Sequence, residues 1–135
     1  MSEDFKKNLD LALGNVKRLS NKILIDGKLV SAKSLNKIKV VNPSTGEQIG
    51  EAPQCDKLDV DVAVSSAETS FHKWKKIPAR ERGKMMTAAA RKLEERIDEI
   101  ETLLALDTGN ALRTQAKPET AASIELTHMF AGLAG

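Results

Sequence analysis

Apolar residues recur at helical spacing from the start of the chain, at Phe5, Leu9, Ala12, Val16 and Leu19. With Ser2 as N-cap and acids in the first turn, the spacing predicts a short helix resting on the body of the protein. A membrane surface would suit the same amphipathicity, but packing is the favoured reading. Gly14 interrupts the pattern. Residues 1–21 are read as an N-terminal helical extension. The period then changes. Ile23-Leu24-Ile25, Asp26-Gly27 and Lys28-Leu29-Val30 read as strand, tight turn, strand, because Asp-Gly supplies the positive φ that such a turn requires. Ile38 to Val41, the turn cluster Asn42-Pro43-Ser44-Thr45-Gly46 and Glu47 to Glu51 repeat the strand signal. Residues 22–52 thus form a small strand-rich module, closed by Pro53.

Residues 53–135 read as helical. Asp56 is placed to cap a helix, with Asp59 at N3 as its capping-box partner. Val60, Val64, Ala67 and Phe71 share one face of that helix, and Trp74 is expected to close it against the core. Pro78 sits where a helix can begin. From Ala79 to Leu106 the pattern is strongly helical, with Met86, Leu93, Ile97, Ile100 and Leu104 as the apolar stripe. This length suits one helix, or two with a break near Ile97 or Asp98. Gly109 is a natural stop. Asn110 to Lys117 reads as a connection, since the residue before Pro118 is biased away from helix. A last helix opens at Pro118 and presents Ala122, Leu126 and Met129 or Phe130 on one side.

Composition narrows the function classes. Of 135 residues, 41% are apolar and only 3% aromatic, so a core must come from aliphatic side chains, which suit helix packing. Lys and Arg total 21 against 19 Asp and Glu, a formal charge of +2, too balanced to point to nucleic acid or an acidic membrane. Runs such as Arg91-Lys92-Leu93-Glu94-Glu95-Arg96 read as a solvated helix face. The single cysteine excludes an internal disulfide and a cysteine-based metal site. No apolar run approaches the ~18 residues of a membrane span, and the acidic N-terminus resembles neither a secretory signal nor a transit peptide. The expected location is the cytoplasm.

Candidate chemistry is sparse. There is no dinucleotide or phosphate-loop glycine motif. His72 and His128 lie on different predicted helices without acidic or thiol neighbours at metal-ligand spacing. Cys55 lies near a helix start, which can activate a thiol, but no partnered base is identifiable.

The residues resemble those of the aldehyde dehydrogenase family. The likeness is carried in order by Leu24-Ile25-Asp26-Gly27-Lys28, by Val40-Val41-Asn42-Pro43-Ser44-Thr45-Gly46-Glu47 with Ile49-Gly50, and by Asp59-Val60-Asp61-x-Ala63-Val64 with Phe71-x-x-Trp74. Pro78-Ala79-Arg80-Glu81-Arg82-Gly83-Lys84, Leu106-Asp107-Thr108-Gly109-Asn110 and Phe130-Ala131-Gly132-Leu133-Ala134 complete it. The resemblance covers residues 22–135. It implies an α/β fold: the N-terminal part of the Rossmann-like cofactor domain of the aldehyde dehydrogenase fold, here a strand-rich module followed by three or four helices. The family oxidises aldehydes to carboxylic acids with NAD(P)+ through a cysteine thiohemiacetal. Its oxyanion asparagine, nucleotide-binding glycine loop, general-base glutamate and nucleophilic cysteine come later in the family's chain and have no counterpart here. The surroundings of Cys55 do not match the nucleophile.

The resemblance therefore implies no catalytic and no cofactor-binding residue in this chain, which is expected to be a truncated enzyme, inactive alone. NAD or NADP would serve the complete enzyme. The resemblance also implies two lesser sites. A structural monovalent cation would use the carbonyls of Val40 and Val41 and the carboxylate of Asp107; Asp107 could equally cap local backbone groups. Pro118 and Ala122 would face the substrate entrance. The implied partners are the remainder of the polypeptide or homologous subunits. A second reading, from another class, is a stand-alone helical module that binds a complementary fragment or an intact subunit. Its motive is that Leu93, Ile97, Ile100 and Leu104 would lack part of their covering without a downstream sheet.

Overall fold

The computed structural model describes residues 3–134, so Ser2, expected as the first N-cap, lies outside the described residues. The elements run α1 (Glu3–Leu19), β1 (Lys22–Ile25), β2 (Lys28–Ser31), β3 (Lys37–Val41), β4 (Gln48–Pro53), α2 (Lys57–Trp74), α3 (Ala79–Glu94), α4 (Ile97–Thr108), a π-helical turn (Leu112–Ala116) and α5 (Lys117–Leu133). They fall into two units. One holds the residues up to Ala12 and those from Ile77 onward; the other is Leu13–Lys76.

In the strand-bearing unit, β1 and β2 pair antiparallel with Ile25 opposite Lys28. Asp26 and Gly27 both adopt positive φ, 52° and 70°, the geometry of a two-residue turn matched to strand twist. The second pair, β3 with β4, forms a separate sheet with an irregularity between Val40 and Val41. Its loop is closed by Asn42: the side chain accepts from the Ser44 amide at 2.9 Å, and its own amide donates to the Glu47 carbonyl at 2.9 Å. Pro53 belongs to β4, opposite Lys37, instead of ending the module one residue earlier; a proline is tolerated at the end of an edge strand.

Helix α2 starts on a capping box. The Asp56 carboxylate accepts from the Asp59 amide at 3.0 Å, and the Asp59 carboxylate accepts from the Asp56 amide at 3.3 Å. Asp59 is buried and also accepts from the Lys33 amide at 2.9 Å, which fastens the segment after β2 to the helix. The Lys33 bond, reinforced by the Asp56 and Ser34 amides and the Lys33 charge, lowers the Asp59 pKa against the opposing effect of burial. The expected apolar face of α2 is not its packed face. Val64 is 60% exposed, Phe71 56% and Trp74 39%. The inward stripe is Asp59, Ala63 and Ser66. Trp74 therefore does not close the helix against a core.

In the helical unit, the long helical stretch is two helices, broken at Glu95 and Arg96, immediately before Ile97. Gly109 ends α4 in the left-handed conformation, where a glycine lacks the Cβ penalty. The connection to α5 is not irregular. Ala116 donates to the Ala111 carbonyl at 3.2 Å across a widened turn, and Lys117 is already helical despite preceding a proline. A π turn leaves room for the Pro118 ring where a regular turn would drive it into a carbonyl. The packed side of α5 carries Thr120, Ile124 and Ala131; Ala122 and Leu126, expected on one side with Met129 or Phe130, are exposed, as are Met129 and Phe130. Leu93 is exposed, whereas Ile97, Ile100 and Leu104 are half-buried.

Helix α3 lies against α5 in the most extensive helix contact of the unit. Gly83 makes it possible: a Cβ there would sit 2.6 Å from the Ala131 carbonyl oxygen. Gly83→Ala should therefore destabilise the unit by about 1–3 kcal/mol, because the overlap with backbone outweighs the ~1 kcal/mol helix preference of alanine. Gly14→Ala, in α1 with nothing within 4 Å of the new methyl, should instead stabilise by about 0.5–1 kcal/mol. Urea denaturation of both variants checks the opposite signs.

Asp59 gives a pH prediction. Its pKa is lower folded than unfolded, so its stabilisation is complete above the ordinary aspartate value, roughly pH 4, and disappears as pH falls through the folded value. Asp59→Asn should flatten the acid limb of stability against pH. An unchanged limb would show that the Lys33 and Asp56 bonds contribute nothing.

Candidate functional site

The residues singled out from sequence lie on several elements of the two units. Val40 and Val41 are neighbours on β3, Val40 half-buried and Val41 exposed, where the pairing with β4 is irregular. Asp107 is exposed in the last turn of α4. The two valines and the aspartate belong to different units. Pro118 and Ala122 lie one turn apart on α5, both exposed. Cys55 is exposed in the segment between β4 and α2. Among the described residues, no group of three or more His, Cys, Asp or Glu side chains could hold a metal ion.

What the helical unit does bring together is a set of charged pairs. Arg96 grips Glu99 with two bonds, Nε to Oε2 at 2.9 Å and a terminal nitrogen to Oε1 at 2.7 Å. Glu99 is buried, and its hydrogen bond raises the Arg96 pKa further. Buried Glu101, on α4, faces Lys117 at the start of α5 at 3.4 Å. Beside them, Asp4, Phe5, Lys7 and Asn8 of α1 and Asp98, Thr102 and Leu112 complete a cleft of about 610 Å³. The hydroxyl of Thr102 is committed to the Asp98 carbonyl at 2.7 Å. His128 on α5 meets Glu94 on α3 at 3.0 Å.

These pairs are anchors. Buried Glu99 and Glu101 are each matched with a cation, which answers the cost of burying charge, whereas Glu94 and His128 meet at an exposed surface. None sets a nucleophile beside a base. The Arg96–Glu99 pair has a local signal in its spacing of three, from the N-cap of α4 to its first turn. Glu101–Lys117 and His128–Glu94 have none, since their partners are 16 and 34 positions apart; only the packing of α3, α4 and α5 joins them. Among the described residues, no helix is long and apolar enough to cross a membrane.

A dinucleotide site can be tested on the same geometry. Such a site places a pyrophosphate at a helix N-terminus that follows a strand and a glycine turn. Among the described residues, the one passage from strand to helix is β4 to α2. There the Asp56 and Asp59 carboxylates already occupy the helix N-terminus. The Asp56 carboxylate already takes the Asp59 amide and the buried Asp59 carboxylate takes those of Asp56 and Lys33, so this helix start does not fit a pyrophosphate.

Comparison with known proteins supplies the lineage. A family profile described as "Aldehyde dehydrogenase family" matches residues 29–135. The chain is 32% identical over 117 residues to the cytosolic 10-formyltetrahydrofolate dehydrogenase of Homo sapiens, covering 85% of this chain and 13% of that protein. It is 33% identical over 119 residues to a mitochondrial aldehyde dehydrogenase of Leishmania tarentolae, covering 88% of this chain and 24% of that one. The chain thus spans a quarter or less of the length of these curated relatives. Among solved structures, it resembles HpcC of Thermus thermophilus with a TM-score of 0.87 and 25% identity, over 93% of this chain and 24% of that one. It resembles betaine aldehyde dehydrogenase of Staphylococcus aureus, solved in complex with NAD+, with a TM-score of 0.84 and 29% identity, over 93% and 25%. The fold is thus the N-terminal part of the aldehyde dehydrogenase fold. The chain belongs to the aldehyde dehydrogenase family.

Proposed function

We propose that these residues are framework of an NAD-dependent aldehyde dehydrogenase and supply no attacking group to its reaction. The observation that carries this reading is the likeness, over 93% of the chain, to an enzyme solved with NAD+. The absence of any fit to the dinucleotide at the N-terminus of α2 supports assigning the cofactor to groups other than these. Aldehyde oxidation through a thioester needs a thiol with a base in hydrogen-bond reach. Cys55 stands exposed in a connecting segment. The helical unit contributes shape and stiffness: α3 and α5 are held close by Gly83, and α4 and α5 are tied by Glu101 and Lys117.

A second reading is favoured by one specific observation. On α2 the apolar face of Val60, Val64, Phe71 and Trp74 is exposed along its length. A face of that kind suits association with a complementary polypeptide or subunit. A monodisperse monomer in light scattering, across micromolar concentrations, would reject this reading and leave the framework reading standing.

The isolated 135-residue chain, incubated with NAD+ and betaine aldehyde, should give no rise in NADH absorbance; turnover by chain free of other dehydrogenases would overturn the framework reading. In a longer polypeptide that carries these residues and oxidises aldehydes, Cys55→Ser should leave kcat within about twofold, since the thiol touches no reacting atom.

A further inference from the structure

We propose that the groove where α3 meets the end of α5 is an anion site that takes a ligand with two phosphate-type groups. The groove has a volume of about 390 Å³, and Arg80, Lys84 and Arg91 supply its charge; among the described residues no carboxylate lines it. At ~100° per residue the three cations fall within about 40° of arc on one face of α3, spread over about 16 Å of axis. That length, with side chains able to converge, suits two anionic groups better than one.

The cations are available. In the same unit Arg82 donates to the Ile77 carbonyl, Lys92 pairs with Glu95, Arg96 with Glu99 and Lys117 with Glu101. Among the described residues, Arg80 and Arg91 have no ion pair, and Lys84 shares only the exposed Glu81, at 2.8 Å. Three like charges on one face repel each other, and a bound anion relieves that repulsion. The floor is made of small residues, Gly83, Ala88, Ala131 and Gly132. A side chain at Gly132 would meet nothing within 4 Å, so the space above it is open. The Thr87 hydroxyl already donates to the Gly83 carbonyl at 3.0 Å, which leaves recognition to the three cations. The carbonyl end of α5, with no basic residue in its own last turn, disfavours an anion beside Ala131 and Gly132, so binding rests on Arg80, Lys84 and Arg91 outweighing it.

The test is calorimetric titration of the purified protein with sodium pyrophosphate, ionic strength being matched with sodium chloride. Saturable binding is expected, weakening as chloride is raised, with a rise in thermal midpoint. Arg80→Gln with Arg91→Gln should weaken binding at least about tenfold, whereas Arg80→Lys with Arg91→Lys should retain part of it. Should the first pair of substitutions prevent folding by circular dichroism, Lys84→Gln, at an exposed side chain, carries the same expected loss. Absence of saturable binding, or variants that bind like the parent, would overturn the site. Orthophosphate binding as tightly as pyrophosphate would overturn the two-group ligand.

Discussion

The close approach of α3 and α5 is the constraint on which the helical unit depends. With the Ala131 carbonyl set against Gly83, no side chain fits between the two backbones at that level. The neighbouring contact positions follow suit: Ala90 is fully buried, and Ala131, Thr120 and Ile124 nearly so. Contact between small residues gains its stability from many dispersion contacts at short range and not from large transferred area. The largest side chains are thereby displaced from the packed faces. Phe130, Leu126 and Met129 stand outward on α5 while the buried stripe of the same helix is small and partly polar.

Polar groups do the fastening that large hydrophobes do elsewhere. Asp59 joins the N-terminus of α2 to the segment after β2 through backbone amides. Glu99 and Glu101 are buried on α4, and each is paired. Buried carboxylates of this kind specify geometry as much as they add stability, because misalignment leaves a charge without a partner. A bidentate Arg96–Glu99 grip fixes the entry of α4 directly after the break that separates it from α3.

Local chemistry was legible in the sequence, and the sidedness of the helices was not. Asp26-Gly27, the Asp56–Asp59 capping box and Gly109 are short-range devices whose residues dictate their backbone, and each formed as its neighbours required. Periodicity reported which face of α2 or α5 is apolar, but a face is buried only when something lies against it. In α2 the covered stripe is Asp59, Ala63 and Ser66, so the apolar pattern pointed away from the packing within this chain. Lys117 misled for a related reason: the pre-proline rule assumes a regular turn, and the chain widened the turn instead. Family membership was readable because it rested on ordered runs of residues and not on periodicity. Pairs such as His128–Glu94 had no local signal at all.

The outward apolar faces have a physical reading. Covering a large aliphatic or aromatic side chain contributes about 1.5–3 kcal/mol, so Val60, Val64, Phe71 and Trp74 together represent stabilisation left unrealised on α2 alone. A sequence selected for a soluble surface would not place four such residues on one helical face. Selection for a buried face would. In the same chain the one thiol stands exposed, and the half-buried imidazole of His128 lies 3.0 Å from the Glu94 carboxylate. Both features accord with the framework role proposed above.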